Sequence, residues 1–356
     1  MCFDSRAMMT AVLLVLAAAP LEVRVLERET PASVRLDATR VTCDGRPLEK
    51  NVEVVAGARE LKVGANACQL VVAEGGVTVT VRSLTRRYPG SVRASLQASM
   101  VKLVNVVEVD DYLPSVLQVE ADGMKPAALE AQAIVSRTFA LTAHRHGSQG
   151  YQLCDLAHCQ VYRGAEASAQ SAAAVKNTAH QVLLIGGIVL KPAFFHSSCG
   201  GHTSSAGEVF GEDAAGTAVS DVENGEPRCK TSDFEWTFEA TQEDFAKAFN
   251  VKANGAALEP LRKDKAGRVI ELRVFGKRMS GQAFLSQAGR AFGWQAVRSA
   301  KFTARATDNA VVLKGTGLGH GVGLCQLGAR ALAERGVDAK GILARYFPES
   351  QVKPAP

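Results

Sequence analysis

The sequence predicts an α+β fold, in which an antiparallel-strand-rich core supports a helical pair that carries the candidate active site. The first indication is a series of short β-prone runs, separated by Gly, Asp and Asn, between residues 23 and 109. The second is a helix-type repeat of apolar residues that starts near Asp111. The third is a further succession of strand-like and helical runs from residue 165 onwards.

The first twenty residues have the pattern of a secretory signal peptide. Arg6 precedes an apolar run at residues 7–19, which ends in small residues and is too short to span a bilayer stably. No later stretch of the sequence is long enough for a transmembrane helix. We therefore expect residues 1–20 to be removed and the mature protein to be exported to the periplasm or cell envelope.

Composition and charge are ordinary for a globular protein. Of the 356 residues, 47% are hydrophobic and 22% are charged, and this length suggests about two domains with a sizeable core. We place a β-rich N-terminal region at residues 21–87 and a second domain at residues 88–350. The net charge of +5 is mild, so we expect no nucleic-acid partner.

Eight cysteines suit an oxidising compartment, where disulfides persist. Removal of the signal peptide takes Cys2 with it and leaves seven (8 − 1), so at least one is free, metal-bound or paired between chains. Cys43 and Cys68 flank a β-rich segment and are candidates for one bridge. Cys199 and Cys229 are candidates for a second.

The first helix of the pair carries a carboxylate on its apolar face. With Asp111 as N-cap, residues Leu113, Val116 and Leu117 stand at i, i+3 and i+4, and Glu120 follows at i+7. A carboxylate in this position is costly unless it is paired, hydrogen-bonded or protonated. Glu120 is therefore either a helix-end residue that meets solvent or an acid whose pKa is raised by an apolar setting.

The second helix is predicted from Pro126, which suits a first helical turn, to about His146, with Gly147 just beyond its end. A group of cysteines and histidines follows, within sixteen residues: His144, His146, Cys154, His158 and Cys159. Four such side chains suffice for a tetrahedral zinc site. A Cys154–Cys159 disulfide is the alternative.

Two glycine-containing stretches complete the set of candidate motifs. KPAFFHSSCGGHTSS contains Gly200 and Gly201, and its Cys199 is more consistent with a disulfide or a packed thiol than with a nucleophile. GLGHGVGLCQLGARALAERG contains His320 and Gln326. The second stretch lacks the lysine and threonine of a P-loop and the spacing of a dinucleotide fingerprint, which excludes both types of nucleotide site.

Several stretches in the same order resemble the SpoIID/LytB family of bacterial cell-wall proteins. They are EVDDYLPSVLQVE and KPAALEAQAIVSRTFAL of the helical pair, CDLAHCQVYRG at residues 154–164 and GTGLGHGVGLCQLGARALAERG at residues 315–336. The similarity extends from about Tyr88 to Phe347 and so includes most of the chain. Some relatives are reported to bind zinc near the third stretch, which favours a structural zinc held by His146, Cys154, His158 and Cys159.

The resemblance implies a lytic transglycosylase that acts on peptidoglycan glycan strands, with Glu120 as the catalytic acid and base. We expect the substrate-binding residues to be Arg137, Gly200, Gly201, His320 and Gln326. No cofactor is required for this chemistry. Some relatives are instead described as enhancers of a cell-wall amidase, so a non-catalytic glycan-binding protein with an amidase partner is the alternative. A metal-dependent hydrolase that uses the Cys/His group is the third possibility.

Overall fold

A computed structural model describes residues 19–211, 213–232, 234–253, 256–307 and 309–355. The signal peptide expected at residues 1–20 lies almost wholly outside this range. Among the described residues, no helix is both long and apolar enough to cross a membrane. The strands and helices form the mixed α+β fold that the sequence predicts.

The N-terminal part consists of strands joined by tight turns, and many of these strands alternate buried and exposed residues. The strands are β1 (Leu21–Val25), β2 (Ser33–Asp37), β3 (Arg40–Cys43), β4 (Arg46–Leu48), β5 (Asn51–Ala56), β6 (Leu61–Val63), β7 (Asn66–Cys68), β8 (Leu70–Glu74), β9 (Val77–Val81), β10 (Leu84–Tyr88), β11 (Ser91–Gln97) and β12 (Met100–Val107). They form a six-stranded sheet in the order β10-β9-β2-β5-β6-β7 and most of a seven-stranded sheet. The core lies mainly under these two sheets.

The predicted helical pair follows as α1 (Val109–Glu120) and α2 (Pro126–Thr142). The first helix begins earlier than predicted, because the carbonyl of Glu108 accepts hydrogen bonds from the N–H groups of Asp111 and Tyr112. Asp111 therefore lies in the first turn and is not the N-cap. The apolar stripe of α1 is buried as predicted.

The second helix ends at Thr142, short of the predicted end at His146. The Thr142 hydroxyl donates to the carbonyl oxygens of Thr138 and Phe139, and Ala143 adopts an extended conformation. This early end places His146 in a turn, where its side chain is free to join other ligands.

The remaining elements alternate short strands with helices. They are β13 (Leu153–Cys154), α3 (Ala169–Asn177), β14 (Gln181–Ile185), β15 (Val189–Leu190), β16 (Phe195–His196), α4 (Ala206–Val209), β17 (Val222–Glu223), β18 (Glu226–Pro227), β19 (Glu235–Thr241), α5 (Gln242–Ala248), β20 (Leu258–Lys263), β21 (Val269–Val274), β22 (Lys277–Ser280), α6 (Gly281–Phe292), β23 (Phe302–Ala306), β24 (Ala310–Thr316), β25 (Leu324–Cys325), α7 (Gln326–Glu334), α8 (Ala339–Tyr346) and β26 (Ser350–Pro354). The strand β13 completes the seven-stranded sheet, in the order β13-β1-β12-β11-β8-β3-β4.

Strand pairing and packing continue on both sides of the expected domain boundary at residue 87, and the division into domains stays a prediction. The strand β11, just after this boundary, pairs with β8 before it and with β12 after it. One hydrophobic cluster also joins the N-terminal strands to α1 and to part of α2. The β-rich region and the helical pair therefore share one hydrophobic cluster.

A separate core occupies residues 235–316, which we call the insert. Its buried hydrophobic residues, from Trp236 to Leu313, form one cluster. This cluster lies under the sheets β19-β24-β23 and β20-β21-β22. The first and last strands of the insert pair side by side, with Glu235 opposite Thr316. The insert therefore begins and ends at almost the same point.

The described cysteines follow the predicted pairing in one case and depart from it in the other. Cys43 and Cys68 form a disulfide with an S–S distance of 2.08 Å. Cys199 and Cys229 are free thiols whose sulfur atoms lie 3.5 Å apart, so the second predicted bridge is absent from this structure.

Candidate active site

Glu120 is the last residue of α1, and its carboxylate is only partly accessible to solvent. The oxygen Oε1 accepts a hydrogen bond of 2.9 Å from the backbone N–H of Val161. Burial raises the pKa of Glu120, and the Val161 bond partly opposes this rise because it stabilises the charged form. A carboxyl group in this setting keeps its proton to higher pH than a solvated glutamate, as a general acid requires.

The CDLAHCQVYRG segment, called the strap below, crosses the helical pair and brings the Val161 N–H to Glu120. The side chain of Gln160 accepts from the Tyr112 hydroxyl at 3.2 Å and donates to the Ser136 carbonyl at 3.3 Å. The backbone N–H of Arg163 donates to the Ser115 hydroxyl at 3.0 Å. Polar groups on both helices therefore fix the strap in place.

Gln326, the first residue of α7, holds the other side of Glu120. Its amide Nε2 donates to the backbone carbonyl of Glu120 at 2.9 Å and lies 3.4 Å from Oε1 of Gln132. Gln132 donates in turn to the Ser136 hydroxyl at 3.0 Å. Buried amides paired in this way position the end of α1. Direct contact between Gln326 and a glycan stays a prediction.

Four side chains of the strap and the preceding turn converge on one point. The ligand atoms of His146, Cys154, His158 and Cys159 all lie within 4.8 Å of one another. Nε2 of His146 is 3.1 Å from Nε2 of His158 and 3.5 Å from the sulfur of Cys159. Both cysteines are free thiols, so the Cys154–Cys159 disulfide does not form here. Two sulfur and two imidazole donors are a complete tetrahedral set for zinc.

The Cys/His cluster is connected to Glu120 through the backbone. Cys159 lies two residues before Val161, whose N–H binds the Glu120 carboxylate. A metal ion bound by the cluster would fix the start of the strap while leaving the carboxylate free of any metal bond. The cluster is thus suited to a structural ion that supports the site.

We expect Cys159→Ser to lower the zinc content of the purified protein by about one ion per chain and to lower the melting temperature, because a structural zinc site contributes to folding. Elemental analysis and a thermal melt measure the two effects. His144→Ala is the control, since His144 is an exposed neighbour outside the cluster. Metal-free wild type with a Cys154–Cys159 disulfide would contradict the prediction.

Arg137, expected from the sequence to bind substrate, lies inside the protein. Its side chain is 1% exposed and pairs with Asp110 in the first turn of α1 at 2.9 Å. It also donates to the carbonyl oxygens of Gln181 at 3.1 Å and of Val175 at 3.2 Å. The guanidinium thus joins α1, α2 and α3. Direct contact between Arg137 and a glycan stays a prediction.

His320 is partly buried against aromatic rings. Its ring centroid lies 5.1 Å from that of Phe210 and 5.5 Å from that of His196. Nδ1 of His320 accepts from the Val322 N–H at 3.1 Å, which places any ring proton on Nε2. Burial, followed by repulsion from His196, lowers the pKa of His320 well below its ordinary value, so the ring is neutral. Its contact with a glycan stays a prediction.

The predicted glycine pair is enclosed by the protein itself. Gly200 and Gly201 have φ of +71° and +90°, which favours glycine, and both are buried. Lys301 donates to the carbonyl of Gly200 at 2.6 Å, and a Cβ on Gly201 would come within 3.0 Å of Pro227. These residues turn the chain directly after Cys199. Their expected role in substrate binding stays a prediction.

Some supporting residues were not predicted from the sequence. The Val161 N–H is a backbone group, which no side-chain pattern can indicate. Gln132 and Gln160 are buried polar residues, and Gln132 lies on a helix of otherwise small and apolar residues. A glutamine on such a face is the signal that could have identified a hydrogen-bonded network.

Two family models match this chain. Residues 97–184 match the SpoIID family, described as Stage II sporulation protein. This range includes the helical pair, Glu120 and the strap. Residues 212–323 match a family described as a domain of unknown function, DUF8618, and this range includes the insert.

Three relatives extend the similarity beyond the matched domain. An uncharacterized protein of Brachyspira hyodysenteriae is 29% identical over 258 residues, which are 69% of this chain and 66% of that protein. Stage II sporulation protein D of Bacillus subtilis is 26% identical, over 71% of this chain and 76% of its own length. The amidase enhancer of Bacillus subtilis is 24% identical, over 62% of this chain but only 37% of the enhancer. These matches confirm the predicted resemblance to the SpoIID/LytB family.

Proposed function

We propose that this protein is an exported lytic transglycosylase of peptidoglycan. It would cleave the glycan backbone between N-acetylmuramic acid and N-acetylglucosamine and leave 1,6-anhydro-muramyl ends. The observation that carries the proposal is the setting of Glu120, a partly buried carboxyl group with a raised pKa. Its carboxylate and its carbonyl are held by two different segments, through Val161 and Gln326.

The reaction needs one group that first donates and then accepts a proton. In the proposed mechanism the protonated Glu120 donates to the glycosidic oxygen that leaves C1 of the muramyl residue. The carboxylate then accepts the proton of the muramyl C6 hydroxyl, whose oxygen attacks C1 and closes the anhydro ring. No water is consumed, so the second carboxylate that a hydrolase commonly uses is not required. The nucleophile belongs to the substrate and has a high effective concentration.

The surroundings of Glu120 suit both the step in which it donates a proton and the step in which it accepts one. Burial favours the neutral acid that must donate, while the Val161 N–H stabilises the carboxylate that must accept. The same bond keeps Oε1 in a fixed direction during the change of charge. A structural zinc in the Cys/His cluster would preserve this geometry without taking part in proton transfer.

Digestion of peptide-free glycan strands tests the proposed reaction. We expect the purified mature protein to release saccharides that end in 1,6-anhydro-N-acetylmuramic acid. Mass spectrometry distinguishes these products from hydrolysis products, which are heavier by one water. Reducing muramyl ends would instead indicate a hydrolase and contradict the mechanism.

A non-catalytic role is the second candidate, because one relative carries the name amidase enhancer. In that role the protein would bind glycan strands and stimulate a cell-wall amidase, and Glu120 would be dispensable. Binding of peptide-free strands without any cleavage, together with faster release of stem peptides by an added amidase, would favour this candidate over the first.

A further inference from the structure

A second set of ligand-type side chains lies buried beside the insert. Cys199, Asp221, Cys229 and Cys325 each contribute one ligand atom, and these atoms all lie within 4.8 Å of one another. The sulfur of Cys199 is 3.5 Å from that of Cys229 and 3.4 Å from Oδ2 of Asp221. In a tetrahedral site with zinc–sulfur bonds of about 2.3 Å, thiolates lie about 3.8 Å apart. The observed spacing is therefore close to that of a metal-bound set.

We propose that Cys199, Cys229 and Cys325, completed by Asp221, bind a structural zinc ion. Soft thiolate donors favour zinc among the common divalent ions, and four protein ligands leave no open position for a substrate. The site is separate from the Cys/His cluster and does not depend on the proposed reaction.

The charges around the cluster support a metal–thiolate centre. Three thiolates and a carboxylate around one zinc ion would carry roughly two net negative charges. Basic side chains on several elements face the cluster: Arg228, Arg268, Lys301 and Arg345. Arg268 is almost fully buried and donates to the Cys199 carbonyl at 3.0 Å, while its Nη1 has no hydrogen-bond partner among the described residues. A buried cation of this kind calls for nearby negative charge, which Asp264 supplies in part and to which the thiolates of the cluster would add.

The carboxylate ligand is oriented by its own neighbours. The Tyr346 hydroxyl donates to Oδ2 of Asp221 at 2.9 Å, and Arg228 lies 3.3 Å from Oδ1. A Cβ at Gly328 would lie 2.4 Å from Oδ2 and 2.0 Å from the Tyr346 oxygen, so only glycine permits this approach. Hydrogen bonds that orient a ligand in this way are typical of metal sites.

The ion would connect segments that are distant along the chain. Cys229 lies shortly before the insert, and Cys199 follows β16, while Cys325 directly precedes Gln326. A metal held by all three would anchor the start of the insert to α7. The same helix contacts Glu120 through Gln326.

A Cys199–Cys229 disulfide is the competing use of these thiols. It would remove two negative charges from the surroundings of Arg268 and leave Cys325 as a single buried thiol. The disulfide and the metal site make opposite predictions for metal content, so one set of variants separates them.

The test uses the full mature chain with the Cys/His cluster disabled by Cys159→Ser. We expect this protein to retain about one zinc per chain, and the further change Cys229→Ser or Cys325→Ser to remove it. Cobalt substitution of the Cys159→Ser protein should give an intense thiolate-to-cobalt charge-transfer band that the double variants lack. Cys159→Ser is itself the matched control, because it makes the same chemical change in the other cluster.

The Cys159→Ser protein decides the question even where a double variant fails to fold. One bound zinc with a thiolate-rich cobalt spectrum supports the proposal. Folded, metal-free protein with a Cys199–Cys229 disulfide identified by peptide mapping overturns it. Copper or iron in place of zinc overturns the assignment of the metal. The milder Asp221→Asn should weaken zinc binding in a chelator competition, and unchanged affinity would remove Asp221 from the ligand set.

Discussion

Glu120→Gln should abolish the release of anhydro-muramyl products from peptide-free glycan strands, with turnover reduced at least about a hundredfold. Glutamine keeps the shape of the side chain and can still accept the Val161 hydrogen bond, but it cannot donate the proton that the leaving oxygen needs. The variant should still bind glycan strands. Product analysis by mass spectrometry and a strand-binding assay measure the two outcomes.

The same substitution should leave the fold as stable as the wild type or more so. The raised pKa of Glu120 means that the folded protein binds a proton more tightly than the unfolded chain. The free energy of unfolding therefore falls as the pH rises from the ordinary to the raised pKa of Glu120. This loss of stability persists at any pH above both pKa values. Glutamine does not titrate, so the melting temperature near neutral pH should not drop. Wild-type turnover should fall as the pH rises through the raised pKa.

Glu108→Gln is the matched control for Glu120→Gln. Glu108 is an exposed glutamate at the other end of α1, outside the helix itself, and its loss should change neither turnover nor stability appreciably. Cleavage by Glu120→Gln at the wild-type rate would refute the assignment of the acid. A loss of turnover accompanied by unfolding would instead show that Glu120 is a structural residue.

Arg137→Met should destabilise the protein by roughly 3 kcal/mol, because it leaves buried carbonyl groups without donors and separates Asp110 from its partner. A loss of this size would lower the melting temperature strongly. Turnover per folded molecule should stay near the wild-type value, since the guanidinium lies away from solvent. Thermal melts and activity measured on the folded fraction separate the two effects.

Arg305→Met is the control for this prediction, because Arg305 is an exposed arginine on β23. That change should shift the melting temperature only slightly. A stable Arg137→Met protein with weakened glycan binding would instead support the substrate-binding role that the sequence suggested.

Features that depend on residues close together in the sequence were predicted best. The stripe of Leu113, Val116 and Leu117 requires only the period of a helix, and these residues are buried as expected. The Cys43–Cys68 disulfide joins the two ends of a short β segment. The positions of these cysteines along the chain were therefore enough to predict that they pair.

Residues whose roles depend on distant partners were harder to interpret. An arginine such as Arg137 can bind a ligand or saturate buried carbonyls, and only the packing of α3 against the helical pair decides between them. The thiols of Cys199 and Cys229 form a natural pair in sequence, yet Cys325 reaches the same point from almost a hundred residues away (325 − 229 = 96). The pattern of one sequence does not show that these three cysteines meet in the folded protein.

The tryptophans and the tyrosines of the protein lie in different parts of the chain. Both tryptophans, Trp236 and Trp294, lie within the insert, while all five tyrosines lie outside it. Trp236 is buried in the core of the insert, whereas Trp294 is 60% exposed, so the Trp236 fluorescence reports on that core and would not register the loosening of α1 or the strap. Tyr112 of α1 and Tyr162 of the strap, by contrast, pack against each other with ring centroids 4.7 Å apart. Four of the five tyrosines lie in the cluster that contains α1, so tyrosine absorbance reports mainly on the part of the chain that contains Glu120.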